Sequence, residues 1–360
     1  MEGPTLATAG IAAEGRIITR YLITGGAGFI GSHLADALVA PDATVTILDD
    51  LSTGSRANVE HLLAGGAAEF VEGSVTDARL VDELMGRCDC CLHLASIVGV
   101  KLVVAEPLEA LRRIVGGADI VISAAARHRK RVLFASTSEV YGKNADGPLG
   151  EDSDRLLGSS FKGRWSYAIA KSYGEALAHG YHRQHGADTT VVRLFNTIGP
   201  RQIGTHGMVV PRLVRQAITG DELTVYGDGR QERCFLHVHD AVSAIVALAD
   251  HDGASGRAFN VGCQDSVTIR ALASRIVERA GSSSTITFVP YEQAYGDGFE
   301  ELGRRMPDIS AVHGLTGWRP QRSLDQALDD VIAFQRAELS IGGNGVGPGS
   351  HLRAEAREVG

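Results

Sequence analysis

Residues 21–31 read Tyr-Leu-Ile-Thr-Gly-Gly-Ala-Gly-Phe-Ile-Gly, an apolar run that empties into glycines at positions 25, 28 and 31. Few folds accommodate that order. The apolar run predicts a buried strand, the glycines a tight turn, and the residues after them the start of a helix. Glycine lets the turn close, lets backbone approach a pyrophosphate, and lets the helix pack on the strand. The helix N-terminus then offers unpaired N–H groups and a positive dipole end to an anion. Gly25, Gly28, Phe29, Ile30 and Gly31 are therefore candidate contacts for a dinucleotide. Asp49 ends the next apolar run, where a carboxylate accepts both adenosine ribose hydroxyls and repels a 2′-phosphate, which favours NAD over NADP. The rival readings are an ordinary tight turn and an Asp49-Asp50 pair that merely solvates a loop.

Short β-rich runs alternate with amphipathic stretches through the first 200 residues. Strands are predicted at Tyr21–Thr24, Thr44–Asp49, Glu69–Glu72, Cys91–Ala95, Arg131–Ser136 and Thr189–Leu194. Helices are predicted at Gly28–Val39, Ala78–Met85, Pro107–Arg127 and Trp165–His185. That alternation predicts an α/β fold with a doubly wound parallel sheet of Rossmann type. The pattern loosens after Gly199-Pro200-Arg201. Helices at Met208–Thr219, Ile269–Ala280 and Leu324–Glu338, with strands at Leu223–Tyr226, Cys234–Val238 and Ile286–Val289, predict a smaller α/β substrate domain. The expected organisation is a flexible leader over 1–16, a dinucleotide-binding domain over 17–200, an interleaved substrate domain over 201–340, and a disordered tail over 341–360.

The bulk numbers narrow the partners. Of 360 residues 44% are hydrophobic and 22% charged, with a net charge of −8, which fits a soluble globular chain with ample core. The acidic balance argues against a nucleic-acid or anionic-membrane surface. No apolar run is long enough to span a membrane, and the N-terminus lacks the basic and apolar regions of a signal peptide. Five cysteines, with Cys88, Cys90 and Cys91 clustered, point to reduced thiols in a cytoplasm. A metal site at Cys88–Cys91 lacks a second ligand pair, so a loop entering a buried strand is favoured and no metal is expected.

Ser166-Tyr-Ala-Ile-Ala-Lys171 places Tyr167 and Lys171 four apart, on one face of a helix. An ammonium beside a phenol favours the phenolate, which otherwise forms only near pH 10. A dinucleotide turn followed by a tyrosine base predicts hydride chemistry. Ala135-Ser-Thr-Ser-Glu-Val-Tyr-Gly142 follows the apolar residues 132–134, so its hydroxyls lie at the carboxyl end of a parallel strand, where ligands bind.

Taken together, Thr-Gly-Gly-Ala-Gly-Phe-Ile-Gly, Asp-Asp-Leu-Ser-Thr-Gly, His-Leu-Ala-Ser, Ser-Thr-Ser-Glu-Val-Tyr-Gly, Tyr-x-x-x-Lys, Arg-Leu-Phe-Asn-Thr-Ile-Gly-Pro-Arg and Tyr-Gly-Asp-Gly-Arg-Gln-Glu-Arg resemble the extended short-chain dehydrogenase/reductase family. They are closest to its nucleotide-sugar epimerases, dehydratases and decarboxylases, over about residues 19–335. The resemblance implies NAD as cofactor, a UDP-sugar as substrate and a homodimer. It implies Tyr167 as catalytic base, Lys171 as its partner and a nicotinamide-ribose ligand, and Thr137 on the sugar O4. It implies further cofactor contacts at Ser74, Val75, Leu94 and Ala95, and diphosphate contacts at Asn196 and Arg233. Lys101 is a candidate for the sugar side.

Glu139 and Ser138 separate the branches. The 4,6-dehydratases of this family carry Thr-Asp-Glu where this chain has Thr137-Ser138-Glu139. The Thr-Ser-Glu set, with Arg305 in Arg304-Arg-Met-Pro-Asp308, resembles the UDP-glucuronate decarboxylases, although simpler epimerases of the family carry a diphosphate-binding arginine in the region of Arg305. A UDP-sugar 4-epimerase is the alternative; a dehydratase and an inactive NAD-binding scaffold rank below it. Two departures from the family pattern stand out: Arg113 occupies a usual asparagine position, and Ser74 a usual aspartate near the adenine.

Overall fold

The computed structural model describes residues 19–97, 107–144, 147–204, 208–295 and 305–342. The first half runs β1 (Thr19–Thr24), α1 (Phe29–Leu38), β2 (Ala43–Asp49), α2 (Glu60–Ala64), β3 (Ala68–Glu72), α3 (Ala78–Arg87), β4 (Cys90–His93), α4 (Pro107–His128), β5 (Arg131–Thr137), β6 (Pro148–Leu149), α5 (Ser166–His185) and β7 (Thr189–Leu194). The second runs β8 (Thr197–Ile198), α6 (Val209–Thr219), β9 (Leu223–Tyr226), β10 (Glu232–Cys234), β11 (Leu236–His237), α7 (Val238–Ala249), β12 (Ala258–Val261), β13 (Ser266–Thr268), α8 (Ile269–Arg279), β14 (Ile286–Val289), α9 (Tyr291–Tyr295), β15 (Met306–Pro307), α10 (Ser310–Thr316) and α11 (Leu324–Gly342).

Seven parallel strands form the main sheet in the order β12-β7-β5-β4-β1-β2-β3. The order reverses at β1, which pairs with β2 on one side and β4 on the other. In an open parallel sheet that reversal opens a crevice at the carboxyl ends of the strands. One face is sealed by α1 and α7 through Leu34, Leu38, Ile245 and Leu248. The other is sealed by α3 and α4 through Val81, Leu84, Val121 and Ala125. The near-continuous apolar sequence of β1, β4 and β5 follows from burial on both faces. Asp77 caps α3 by accepting the N–H groups of Arg79 and Leu80, each at 3.1 Å.

Two elements beyond residue 200 join this layer. β12 pairs with β7, with Phe259 opposite Val192, and α7 packs on α1. The run Cys234–Val238 divides where one strand was expected. Cys234 pairs antiparallel with Ser266, Leu236 pairs parallel with Thr197, and Val238 opens α7. His237 causes the break: its Nδ1 accepts the N–H of His239 at 3.0 Å and so starts the helix. A separate core holds α6, α8 and α11 together through Leu213, Leu272 and Leu328. Cys88, Cys90, Cys91 and Cys234 are buried, and burial pushes Cys90 up to about 12, so it packs as a neutral apolar group. Among the described residues, no helix is long and apolar enough to cross a membrane. Lys101, the leader 1–16 and residues 343–360 of the tail lie outside the described residues.

Candidate active site

A cleft of about 410 Å³ runs along the carboxyl ends of the strands. At one end lies the glycine turn. Gly25 holds φ +70, and a Cβ there would sit 2.7 Å from Ala95 N; a Cβ on Gly31 would sit 2.1 Å from Gly25 O. Only glycine lets β1, the turn and the first turn of α1 close this tightly. No side chain caps α1, and its first turn carries no acidic residue. Its N-terminal N–H groups therefore face the cleft ready for an anion. Asp49 is buried, and its two carboxylate oxygens accept Ala27 N and Leu51 N, each at 2.9 Å. Each oxygen keeps a further lone pair for a ribose hydroxyl. Burial pushes its pKa up, against the pull of those N–H bonds.

Phe29, Ile30, Ser74, Val75, Leu94 and Ala95 line the same cleft. Ser74 is spent locally, its Oγ 2.9 Å from Thr76 Oγ1. The Leu94-Ala95 turn is held by Thr24: its carbonyl accepts Leu94 N at 3.0 Å, and its hydroxyl lies 2.7 Å from His93 Nδ1. Burial, with Lys171 nearby, drives His93 down to about 3, so its neutral ring is a fixed hydrogen-bonding strut. This arrangement fits a dinucleotide.

At the other end, Thr137, Ser138, Glu139, Tyr167, Lys171 and Asn196 also line the cleft. Thr137 Oγ1 accepts Glu139 N at 3.2 Å, which leaves its own proton to donate. Tyr167 and Lys171 share a face of α5; Lys171 is buried and Tyr167 partly buried. Lys171 Nζ donates to Ala135 O at 2.8 Å and stands 4.9 Å from the Phe134 ring centroid. Burial lowers Lys171 to about 7, opposed by Glu175. Burial, then the charge of Glu139, raises Tyr167 above its ordinary range. Burial and Glu139 thus outweigh the expected favouring of the phenolate by Lys171, whose ammonium donates to a backbone carbonyl.

Three side chains from distant segments meet beside Tyr167. Arg164 Nη1 lies 2.6 Å from Glu139 Oε2, and Arg305 Nη2 lies 2.9 Å from Glu139 Oε1. Burial resists ionisation of Glu139, but Arg305 and Arg164 outweigh it and hold the carboxyl down to about 2. Two guanidinium groups face one carboxylate, so the cluster carries one surplus positive charge. Arg305 is buried, and its Nε and Nη1 have no hydrogen-bond partner among the described residues; Arg164 Nε is likewise unpartnered. Buried donors left open cost stability unless a ligand takes them.

Arg164 escaped the sequence reading. Its only signal is its place three residues before Tyr167, one helical turn from the base. Glu175 was also missed, four residues after Lys171. It accepts Arg193 Nη2 at 2.8 Å and bonds with Ser136 and Arg155, which pins α5 to β5 and β7. Arg305 and Arg233 do not line the cleft. They pair backbone to backbone behind Glu139, and Arg233 Nη1 donates to Glu232 O at 2.8 Å. Asn196 Nδ2 donates to Cys234 O at 2.9 Å.

The model of the NAD dependent epimerase/dehydratase family matches residues 21–262. The chain belongs to this family. Among curated relatives, a UDP-N-acetyl-alpha-D-glucosaminuronate decarboxylase of Bacillus cytotoxicus is 42% identical over 88% of this chain and 98% of its own length. UDP-glucuronic acid decarboxylase 1 of Xenopus tropicalis is 35% identical over 89% of this chain and 73% of its own. Among solved structures, UDP-glucuronic acid 4-epimerase from Bacillus cereus, in complex with UDP-glucuronic acid and NAD, superimposes with a TM-score of 0.80 at 26% identity. It is covered in full by 89% of this chain. The glycine turn, Asp49 and the Tyr167–Lys171 pair therefore belong to an NAD-dependent epimerase/dehydratase-family enzyme.

Proposed function

We propose that this enzyme decarboxylates a UDP-linked hexuronate through a 4-keto sugar. The observation that carries the reading is the Glu139–Arg164–Arg305 cluster, with its surplus positive charge and with Arg164, whose Nε is open, lining the cleft three residues before Tyr167. A neutral hexose supplies nothing to satisfy it; a C6 carboxylate does, because arginine forks bind carboxylates through charge-assisted hydrogen bonds. The curated relatives add support, since two of them act on uronates by name.

The roles follow from position. Thr137 donates to the sugar O4, and Tyr167 removes the O4 proton. The glycine turn and Asp49 would hold NAD, which would supply the acceptor for the C4 hydride and its return. The C4 ketone makes the C6 carboxylate a β-keto acid. Carbon dioxide leaves as the C5–C6 electron pair moves into the ketone, and a proton then adds at C5. Ser138, buried at the strand end, lines the same cleft. Asn196 holds the diphosphate side, with Arg233 behind it.

The α4 and α5 surfaces carry exposed Leu108, Ile169 and Tyr173, which supports a homodimer through these helices. The reduced-thiol reading supports a cytoplasmic enzyme. The test is incubation with UDP-glucuronate, UDP-N-acetylglucosaminuronate and UDP-glucose, with mass analysis of the products. A UDP-pentose, lighter by one carbon dioxide, is expected from a uronate and no dehydration from UDP-glucose. A mass-neutral product inverted at C4 would instead make the enzyme a 4-epimerase, as the solved 4-epimerase structure with its uronate ligand suggests.

A further inference from the structure

Arg113 stands where the resembling family carries asparagine, and nothing in the substrate end explains it. It lies on α4, and its side chain lines the cleft with Asp49, Asp50 and Ser74. One turn further along α4, Gly117 approaches the β3–α3 connection so closely that a Cβ there would sit 2.8 Å from Val75 Cγ2. Arg113 is therefore placed at the end of the cleft that Asp49 and Val75 mark for adenosine.

Its present partners hold it loosely. Arg113 Nη2 lies 3.5 Å from Asp50 Oδ2, and Nε lies 3.1 Å from Glu109 Oε1. The Arg113 side chain is 36% exposed, and ion pairs at that exposure contribute little and exchange readily. Asp50 itself is fixed: its Oδ1 accepts Ser52 N at 3.0 Å and Ser52 Oγ at 2.5 Å. The neighbouring groups are committed elsewhere. Ser74 bonds to Thr76, and Asp49 already accepts two backbone N–H groups. Three cationic side chains line the cleft among the described residues: Arg113, Arg164 and Lys171. Arg164 is paired with Glu139, and Lys171 points at Ala135 O. That leaves Arg113 as the cation able to move onto a dinucleotide's phosphates.

We propose that Arg113 exchanges Asp50 for the diphosphate of the bound dinucleotide and so closes the adenosine end of the cleft. A cofactor regenerated within each turnover has no need to leave, and a basic side chain over its phosphates slows its release. This inference does not depend on the uronate reading and survives its failure.

The test uses the purified full-length protein freed of bound cofactor, with Arg113→Asn and Arg113→Lys variants. Binding of NADH, ADP and adenosine is measured by fluorescence and calorimetry, and NADH release by stopped flow. In the asparagine variant ADP affinity is expected to fall about tenfold and NADH to leave about tenfold faster, the usual scale of one lost charge-assisted hydrogen bond. Adenosine affinity is expected to stay unchanged, and the lysine variant to recover part of the ADP affinity. ADP affinity and NADH release within about twofold of the parent would reduce Arg113 to a solvated ion pair. Equal losses for ADP and adenosine would place it on the adenine, and either result overturns the proposal.

Discussion

The two ends of the cleft are built by different means. The cofactor end is made of backbone: a turn closed by Gly25 and Gly31, an uncapped helix start, and a carboxylate that bonds N–H groups of its own neighbourhood. The substrate end is made of side chains brought together from residues 139, 164 and 305. The first is built around one glycine-rich segment and leaves backbone N–H groups open to an anion. The second is assembled across the fold, carries surplus charge, and leaves donors open. The contrast teaches that the cofactor end carries what many relatives share, whereas the proposed selection of substrate rests on the side chains of the other end.

The largest expected effect tests whether the two ends meet at the base. Tyr167→Phe should keep the fold and NAD binding while turnover falls by at least about 10²-fold, the scale of acid–base loss. Steady-state rates beside NADH fluorescence check this; near-normal rates would remove Tyr167 as the base.

Next is the charge cluster. Glu139→Gln leaves the buried Arg305 and the partly buried Arg164 without their carboxylate and should cost about 3 kcal/mol of stability, the low end for breaking a buried ion pair. The sign with pH follows from the depressed carboxyl. Its stabilisation is complete above the ordinary value of 4.5 and is lost as pH falls toward about 2. Urea unfolding at pH 7 and at pH 3 should therefore show a larger gap between parent and variant at pH 7. An equal gap at both would detach Glu139 from the arginines.

These contrasts explain what the sequence could and could not reveal. The glycine turn and the Tyr167–Lys171 spacing are local signals, so they could be read directly. Arg164 has no spacing rule, and its partner Glu139 lies on another element. Arg305 could be matched by motif, but not its place behind Glu139 instead of in the cleft. β12 was missed because Ala258–Val261 is short and lies far from the strands it joins. The Cys234–Val238 run was read as one strand because its apolar pattern hides the cap that His237 supplies to α7.

A smaller effect sharpens the electrostatics of the base. Lys171 is lowered to about 7, so its charged form is lost as pH rises through neutrality. If the ammonium is required, kcat/KM should fall on the alkaline side of about pH 7, since that parameter reports the free enzyme. Lys171→Arg keeps its charge and should flatten that limb; an unchanged limb would assign it to another group. Smallest of all, Asp49→Asn should narrow the preference for NAD over NADP, read by calorimetry with both cofactors. Equal binding of the two by the parent would contradict the role given to Asp49.

The selection of a carboxylate by the substrate end is best tested in Tyr167→Phe, where turnover is blocked. Calorimetry would compare UDP-glucuronate with UDP-glucose, alone and with Arg164→Gln added. The uronate is expected to bind at least about tenfold more tightly, as one charge-assisted contact allows, with the preference lost when Arg164 is removed. Equal affinities for the two sugars, or a preference that survives without Arg164, would contradict the account.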